Sequence, residues 1–98
     1  MHESLTVIAH VRAKPGQESR VRQILQDLLS HTRAEAGCIN YDLHQSRTDP
    51  ALFVFYENWA SEAHLEARSK SPHFQSFRKV AGEILAGPVE VTKWQVVI

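Results

Sequence analysis

The chain has 98 residues, enough for one small domain (1–98) and too few for a second core or a separate cofactor domain. Its 11 basic and 11 acidic side chains cancel, so no global charge draws nucleic acid or an anionic membrane surface. No apolar run approaches the ~20 residues of a membrane span. The start, MHESLTVIAH, lacks the basic region of a signal peptide, and a single cysteine cannot form an internal disulfide, so a reducing, cytoplasmic setting is expected.

Leu5, Val7, Ala9 and Val11 alternate with Thr6, Ile8, His10 and Arg12, the period of a strand that Pro15-Gly16 ends. From Gln17 the period lengthens. Val21, Ile24, Leu25, Leu28, Leu29 and Thr32 form one helical stripe, with Arg20, Arg22, Gln23, Gln26 and Asp27 on the opposite, watered side. Gly37 is expected to stop this helix as a left-handed residue just beyond its end. Cys38 to Gln45 alternates again, Ser46 to Pro50 reads as a turn, and a second strand follows at hairpin distance. In that strand both Leu52, Val54, Tyr56 and Phe53, Phe55 are apolar, the pattern of a strand covered on both sides. It turns polar at Glu57-Asn58 and keeps an aromatic at Trp59. Ser61 is placed to cap a short helix, and Ser71-Pro72 to start another, with the proline where its missing N–H costs least. Phe74, Phe77, Ala81, Ile84 and Leu85 carry a helical stripe to a stop at Gly87-Pro88, and residues 89–98 alternate as a last strand.

The order is β-α-β-β-α-β with the second helix broken in two. That predicts an α+β, ferredoxin-like fold, an antiparallel sheet with its helices on one face. The other face would carry Trp94 and Val96, or Val91 and Val97, according to register. An uncovered apolar sheet on so small a protein calls for a partner, most simply a second copy on a two-fold axis.

The six histidines show no HxH or HxxxH spacing and the cysteine has no CxxC partner, so no metal site is expected. His2 falls in the terminus and His31 on the solvated side of the first helix. Cys38 reads as a small packing residue. No GxSxG, phosphate loop or dinucleotide fingerprint occurs, so no flavin or nicotinamide cofactor is expected from motifs. What remains is Asn58, Trp59, His64, Arg68 and His73 around the joints between strand and broken helix. Tyr41, Tyr56, His10, Phe74 and Phe77 are the candidate walls. Aromatic walls with a few polar groups suit a flat aromatic ligand, the rings stacking it and the polar groups fixing its oxygens. Each residue also has a plainer reading. Asn58 would end the strand, Trp59 fill the core, His64 and Arg68 form a surface pair four apart, and His73 serve a helix start. Glu57 would be the polar member of a salt bridge between two copies.

The segment Y-E-N-W-x-S-x-x-H-L-E-A-x-x-x-S-P-H-F, residues 56–74, together with Glu35-Ala36-Gly37-Cys38 and Tyr41, resembles the antibiotic biosynthesis monooxygenase family. The resemblance runs over nearly the whole chain and implies a dimeric α+β barrel of ferredoxin-like protomers. For function it implies a monooxygenase that oxidises a small quinol- or anthrone-like phenol with O2 as co-substrate and no metal or flavin. Such chemistry needs a base or hydrogen-bond partner to favour the phenolate, a cation or amide for oxyanion charge, and a dry cavity. Asn58 and Arg68 would stabilise charge; His64, His10 or His73 would serve as base. Many relatives have His where this chain has Arg68, and a permanent cation there favours an anionic or phenolate substrate. Haem-degrading relatives use an Asn, Trp, His trio that falls on His10, Arg68 and Arg78 here. Arginine cannot serve as axial ligand, so haem degradation is not expected. Two further readings are an LsrG-like isomerase of a phosphorylated autoinducer-type sugar, and a non-catalytic ligand-binding or stress-response dimer.

Overall fold

The computed structural model describes residues 4–98, and His2 lies outside them. Strand β1 (Leu5–Arg12) is followed by helix α1 (Glu18–Arg33), strands β2 (Cys38–Gln45) and β3 (Leu52–Trp59), helices α2 (Glu62–Ser69) and α3 (Pro72–Ile84), and strand β4 (Glu90–Trp94). The strands form one four-stranded sheet in the order β2-β3-β1-β4, every neighbouring pair antiparallel. This is the ferredoxin-like α+β arrangement that the periodicity predicts.

The helices lie on one side of the sheet, and strand alternation decides which side chains they cover. Val7, Ala9 and Val11 of β1 are buried beneath them, as are Tyr41 of β2 and Phe53, Phe55, Glu57 and Trp59 of β3. Above these, α1 buries Val21, Leu25, Leu28 and Thr32, and α3 buries Phe77 and Ile84. Each large aliphatic or aromatic so buried contributes about 1.5–3 kcal/mol of favourable transfer energy. The opposite side of the sheet carries Thr6, Ile8, His10 and Arg12 of β1, Val54, Tyr56 and Asn58 of β3, and Thr92 and Trp94 of β4. Tyr56 remains 44% exposed and Trp94 54% exposed. Strand β3, whose pattern predicts cover on both sides, is therefore covered on one side within a single chain. Among the described residues no helix is long and apolar enough to cross a membrane.

Three boundaries differ from the sequence reading. Helix α1 ends at Arg33, four residues before Gly37, with Ala34 still right-handed. Gly37 belongs to the turn into β2. Its φ is +81°, a region open chiefly to glycine, and a Cβ there would collide with the Cβ and Cγ of His64. Helix α3 stops at Ile84, not at Gly87-Pro88. Leu85 is extended and buried because the chain pairs back to the end of β1, with Ala13 bridging Leu85 and Ala86 N–H donating to the Arg12 carbonyl at 2.8 Å. Strand β4 ends at Trp94 opposite Thr6. Since β1 starts at Leu5, residues 95–98 run past the edge of their partner strand.

Two caps follow the sequence reading in part. The Ser61 hydroxyl accepts from His64 N–H at 3.3 Å. Ser71 occupies the cap position of α3, but its hydroxyl donates to the Arg68 carbonyl at 2.8 Å, tying the two short helices together at their break. The Gly37 contact generates a stability test. Gly37→Ala should cost at least the ~1–2 kcal/mol of a left-handed Cβ, read as a fall in Tm. In a cycle with His64→Ala the two losses should be less than additive; additive losses would show that the two residues do not meet.

Candidate active site

Between the helix side of the sheet and α2–α3 lies a cavity of about 500 Å³. Val7, Ala9, Val11 and Phe55 supply its apolar floor, and Leu65, Phe74 and Phe77 part of its wall. The second helix is broken here, and Arg68 on one side of the break and Phe74 and Phe77 on the other all reach this space.

Arg68, at the last turn of α2, points inward at that break. Its Nη2 donates to the Tyr41 hydroxyl at 2.5 Å, and its guanidinium lies 4.0 Å from the Phe74 ring centre and 5.1 Å from that of Tyr41. A desolvated cation on two aromatic faces is held by ring electrons as well as by the hydrogen bond. Its Nε is buried without a hydrogen-bond partner, an expensive state for a charged donor. Tyr41 is itself buried and stacks on Phe55 at 4.5 Å. Burial pushes its hydroxyl well above the usual phenol range against the pull of Arg68, so it remains a phenol.

Glu57 is the second charged group in the cavity. It is 1% exposed, and its Oε1 accepts from the indole N–H of fully buried Trp59 at 2.9 Å. Burial raises its pKa above the ordinary carboxylate value, with Arg68 and the Trp59 bond opposing. The expectation that Glu57 forms a salt bridge between copies fails on its orientation, because it faces the helices. Arg78, Lys93 and Glu66 stand at the more exposed edge of the cavity. Arg78 lies over Phe74 at 4.9 Å, and Lys93 pairs with Glu62.

Of the residues singled out in the sequence, the structure brings Tyr41, Arg68, Phe74 and Phe77 to this cavity. Trp59 lies beside it as the partner of Glu57. Asn58, Tyr56 and His10 stand on the opposite side of the sheet. There Asn58 accepts from Thr6 Oγ1 at 2.6 Å and donates to Asn40 Oδ1 at 2.8 Å. His64 packs over Gly37, with its Nδ1 2.8 Å from Ser61 Oγ. His73 sits between α1 and α3, its Nε2 3.3 Å from Glu35 Oε1 and its ring 5.1 Å from that of His31. Glu57, Glu66, Arg78 and Lys93 are the charged lining residues that the sequence reading does not place in the site. A signal for Glu57 exists, since it shares strand parity with Phe53, Phe55 and Trp59. Among the described residues no group of three or more His, Cys, Asp or Glu side chains gathers as metal ligands would. Burial raises the pKa of Cys38, with Glu57 and Glu35 adding to the effect, so its sulfur rests as a thiol.

The chain resembles known proteins along almost all of its length. The sequence model of the antibiotic biosynthesis monooxygenase family matches residues 4–80. Rv0793 of Mycobacterium tuberculosis is 37% identical over 94% of this chain and 90% of its own length. Its structure aligns at a TM-score of 0.90, covering 97% of this chain and 96% of that one. The crystal structure of PA3566 from Pseudomonas aeruginosa aligns at a TM-score of 0.95 with 36% identity, covering 100% and 98% of the two chains. The "Probable quinol monooxygenase YgiN" of Escherichia coli strain K12 is 33% identical over 83% of this chain and 88% of its own.

The raised pKa of Glu57 has a sign that can be checked. A carboxyl that holds its proton more tightly when folded stabilises the fold fully below the ordinary value of 4.5. That contribution is lost as pH rises through the folded value. Glu57→Gln, which keeps an acceptor for Trp59, should therefore be more stable than the wild type at neutral pH. The difference should vanish below about pH 4.5. Denaturant midpoints across that range measure it, and a variant less stable at neutral pH contradicts it.

Proposed function

The chain belongs to the antibiotic biosynthesis monooxygenase family, and from that premise we propose that it is a cofactor-independent monooxygenase of a small quinol- or anthrone-like aromatic. The observation that carries this reading is the Arg68 guanidinium, held against Tyr41 and Phe74 beside a largely apolar cavity of about 500 Å³. A ring entering the cavity lies against Phe55, Phe74 and Phe77, and its ionised oxygen meets the guanidinium. A fixed cation in a water-poor site stabilises a phenolate far better than in bulk water, without the reorganisation that water requires.

The ionised ring is electron-rich enough to react with O2 directly. A C–O bond forms at the activated carbon, the hydrogen of that carbon leaves as a proton, and the O–O bond breaks with release of water. One oxygen atom remains on the carbon as a carbonyl. The substrate supplies every electron, so neither flavin nor metal enters the balance. The name of the relative YgiN, a quinol monooxygenase, agrees with this substrate class.

We propose further that two copies pair through the open side of the sheet. Ile8, Tyr56 and Trp94 give that side its apolar centre, and His10, Arg12, Asp42, His44 and Glu90 surround it with both signs of charge. A surface of mixed sign can be complementary to its own copy across a two-fold axis. Light scattering should read twice the 11.1 kDa of one chain, and Tyr56→Asp should return it to one chain. A wild type that runs as a single chain at micromolar concentration would sink the pairing.

The enzymatic reading is tested by O2 consumption of metal-stripped protein with a panel of quinols, anthrones and catechols. Uptake above autoxidation is expected with no added cofactor. Arg68→Ala should lower kcat/KM by about 10²–10³, the usual loss on removing one oxyanion donor. Asn58→Ala discriminates position, because a loss as large as that of Arg68→Ala would put the chemistry on the open side of the sheet. Turnover of a phosphorylated ketose without O2 would replace the oxygenase with an isomerase. Tight binding of aromatics with no turnover would leave a ligand-binding protein.

A further inference from the structure

We propose that Glu57 is the catalytic base of this cavity: it takes the proton of the substrate hydroxyl while Arg68 holds the oxygen left behind. The inference rests on the aromatic-ligand reading of the same cavity and adds the group that moves the proton.

Three observations point to it. First, among the described residues no imidazole lines the cavity: His10, His31, His44, His64 and His73 all lie outside its lining, whereas Glu57 is part of it. Glu66, the other acid of the lining, is exposed at the edge. Second, Glu57 is built in and aimed. Oε1 is anchored by the indole N–H of a tryptophan that is itself 0% exposed, which leaves Oε2 for a ligand. A surface carboxylate would have neither the anchor nor the dry surroundings. Third, no described cation comes within ion-pairing distance of Glu57. Arg68 acts on it through space and spends its own hydrogen bond on Tyr41. A carboxylate and a guanidinium in one apolar cavity, opposite in charge and not joined, leave room between them for a group that donates to one and accepts from the other. A phenolic hydroxyl does both. Tyr41 is not a rival base, because burial keeps it protonated and its oxygen is already engaged by Arg68.

The proton balance closes. The substrate O–H bond breaks, an O–H bond forms on Glu57, and the electron pair stays on the oxygen facing Arg68. After the C–O bond to O2 forms, the proton on Glu57 and the proton from the ring carbon leave together with the second oxygen atom as water. Burial of Glu57 assists, since a carboxylate whose pKa is raised toward neutrality is a stronger base than a free one.

The test reads protons instead of turnover. 4-Nitrophenol is titrated calorimetrically into the wild type in two buffers of different ionisation heat, at a pH where the free probe is already ionised. If Glu57 and the bound oxygen share a proton, the complex takes up about one proton per ligand. Glu57→Gln should bind the probe within about tenfold of the wild type and take up none, and Glu57→Asp should restore part of the uptake. Binding by the wild type without proton uptake overturns the proposal, as does equal uptake by Glu57→Gln. Failure of the wild type to bind overturns the cavity reading and the proposal together. Normal proton uptake with no O2 consumption on any substrate overturns the oxygenase reading and leaves Glu57 as the proton acceptor. Where O2 is consumed, Glu57→Gln should lower kcat by about 10²–10⁴-fold, the usual contribution of a general base.

Discussion

A four-stranded sheet has two faces, and this chain has helices enough for one. That constraint organises the rest. It requires every strand to alternate, so each odd residue from Phe53 to Trp59 is committed to the helix side and each even one to the other. It concentrates the apolar burial of a small protein in a single layer between sheet and helices. It also leaves Ile8, Tyr56 and Trp94 on a side that no described helix covers. The cavity and the open face are thus two results of one shortage, and they lie on opposite sides of the same strands.

Within the covered layer, the break between α2 and α3 separates core from site. Where α3 meets α1, Val21, Leu25 and Leu28 share the buried core with Phe77 and Ile84. Where α2 turns, Ser71 ties itself to the carbonyl of Arg68, and the space below is left to Arg68, Tyr41 and Glu57. Two opposite charges so placed carry a desolvation cost that apolar residues of the same volume would not. A fold optimised for stability alone would fill this space with leucine. The cost is concentrated in one cavity, where strongly perturbed ionisable groups serve a chemical purpose more often than a packing one.

The sequence conveyed the fold well because the fold is a matter of period. The stripe of α1 and the alternation of β1 and β2 place their residues without reference to the rest of the chain. The boundaries it misplaced depend on distant partners. Gly37 is required by His64, Leu85 is drawn out of its helix by Ala13, and β4 ends where β1 begins. The site was half legible. Tyr41, Arg68, Phe74 and Phe77 meet as their chemistry suggested. Grouping Asn58 and Tyr56 with Trp59 ignored strand parity, because adjacent residues of β3 point to opposite faces. The same parity puts His10 opposite Val7, Ala9 and Val11, and it puts Glu57 inside. A charge at the buried phase of an apolar strand is the most informative letter in the stretch, and reading Glu57 as a salt-bridge partner between two copies overlooks that phase.

An arginine at position 68, where the family resemblance implies a histidine, takes on meaning beside Glu57. A histidine at that position could accept a proton or carry a positive charge, but not both at once. An arginine cannot give up its proton, so it can only stabilise charge. Any proton transfer in the cavity must then fall to another group. Tyr41 is held as a phenol by burial, and Cys38, whose pKa is also raised, lies outside the cavity lining. Glu57 is left, buried and shifted upward as well, but burial raises the pKa of every neutral acid and only a carboxyl starts low enough to benefit. The same burial thus keeps the phenol protonated and raises the carboxyl toward neutrality. In the proposed reaction, the two roles between which a histidine would alternate are divided between the Arg68 cation and the Glu57 carboxylate.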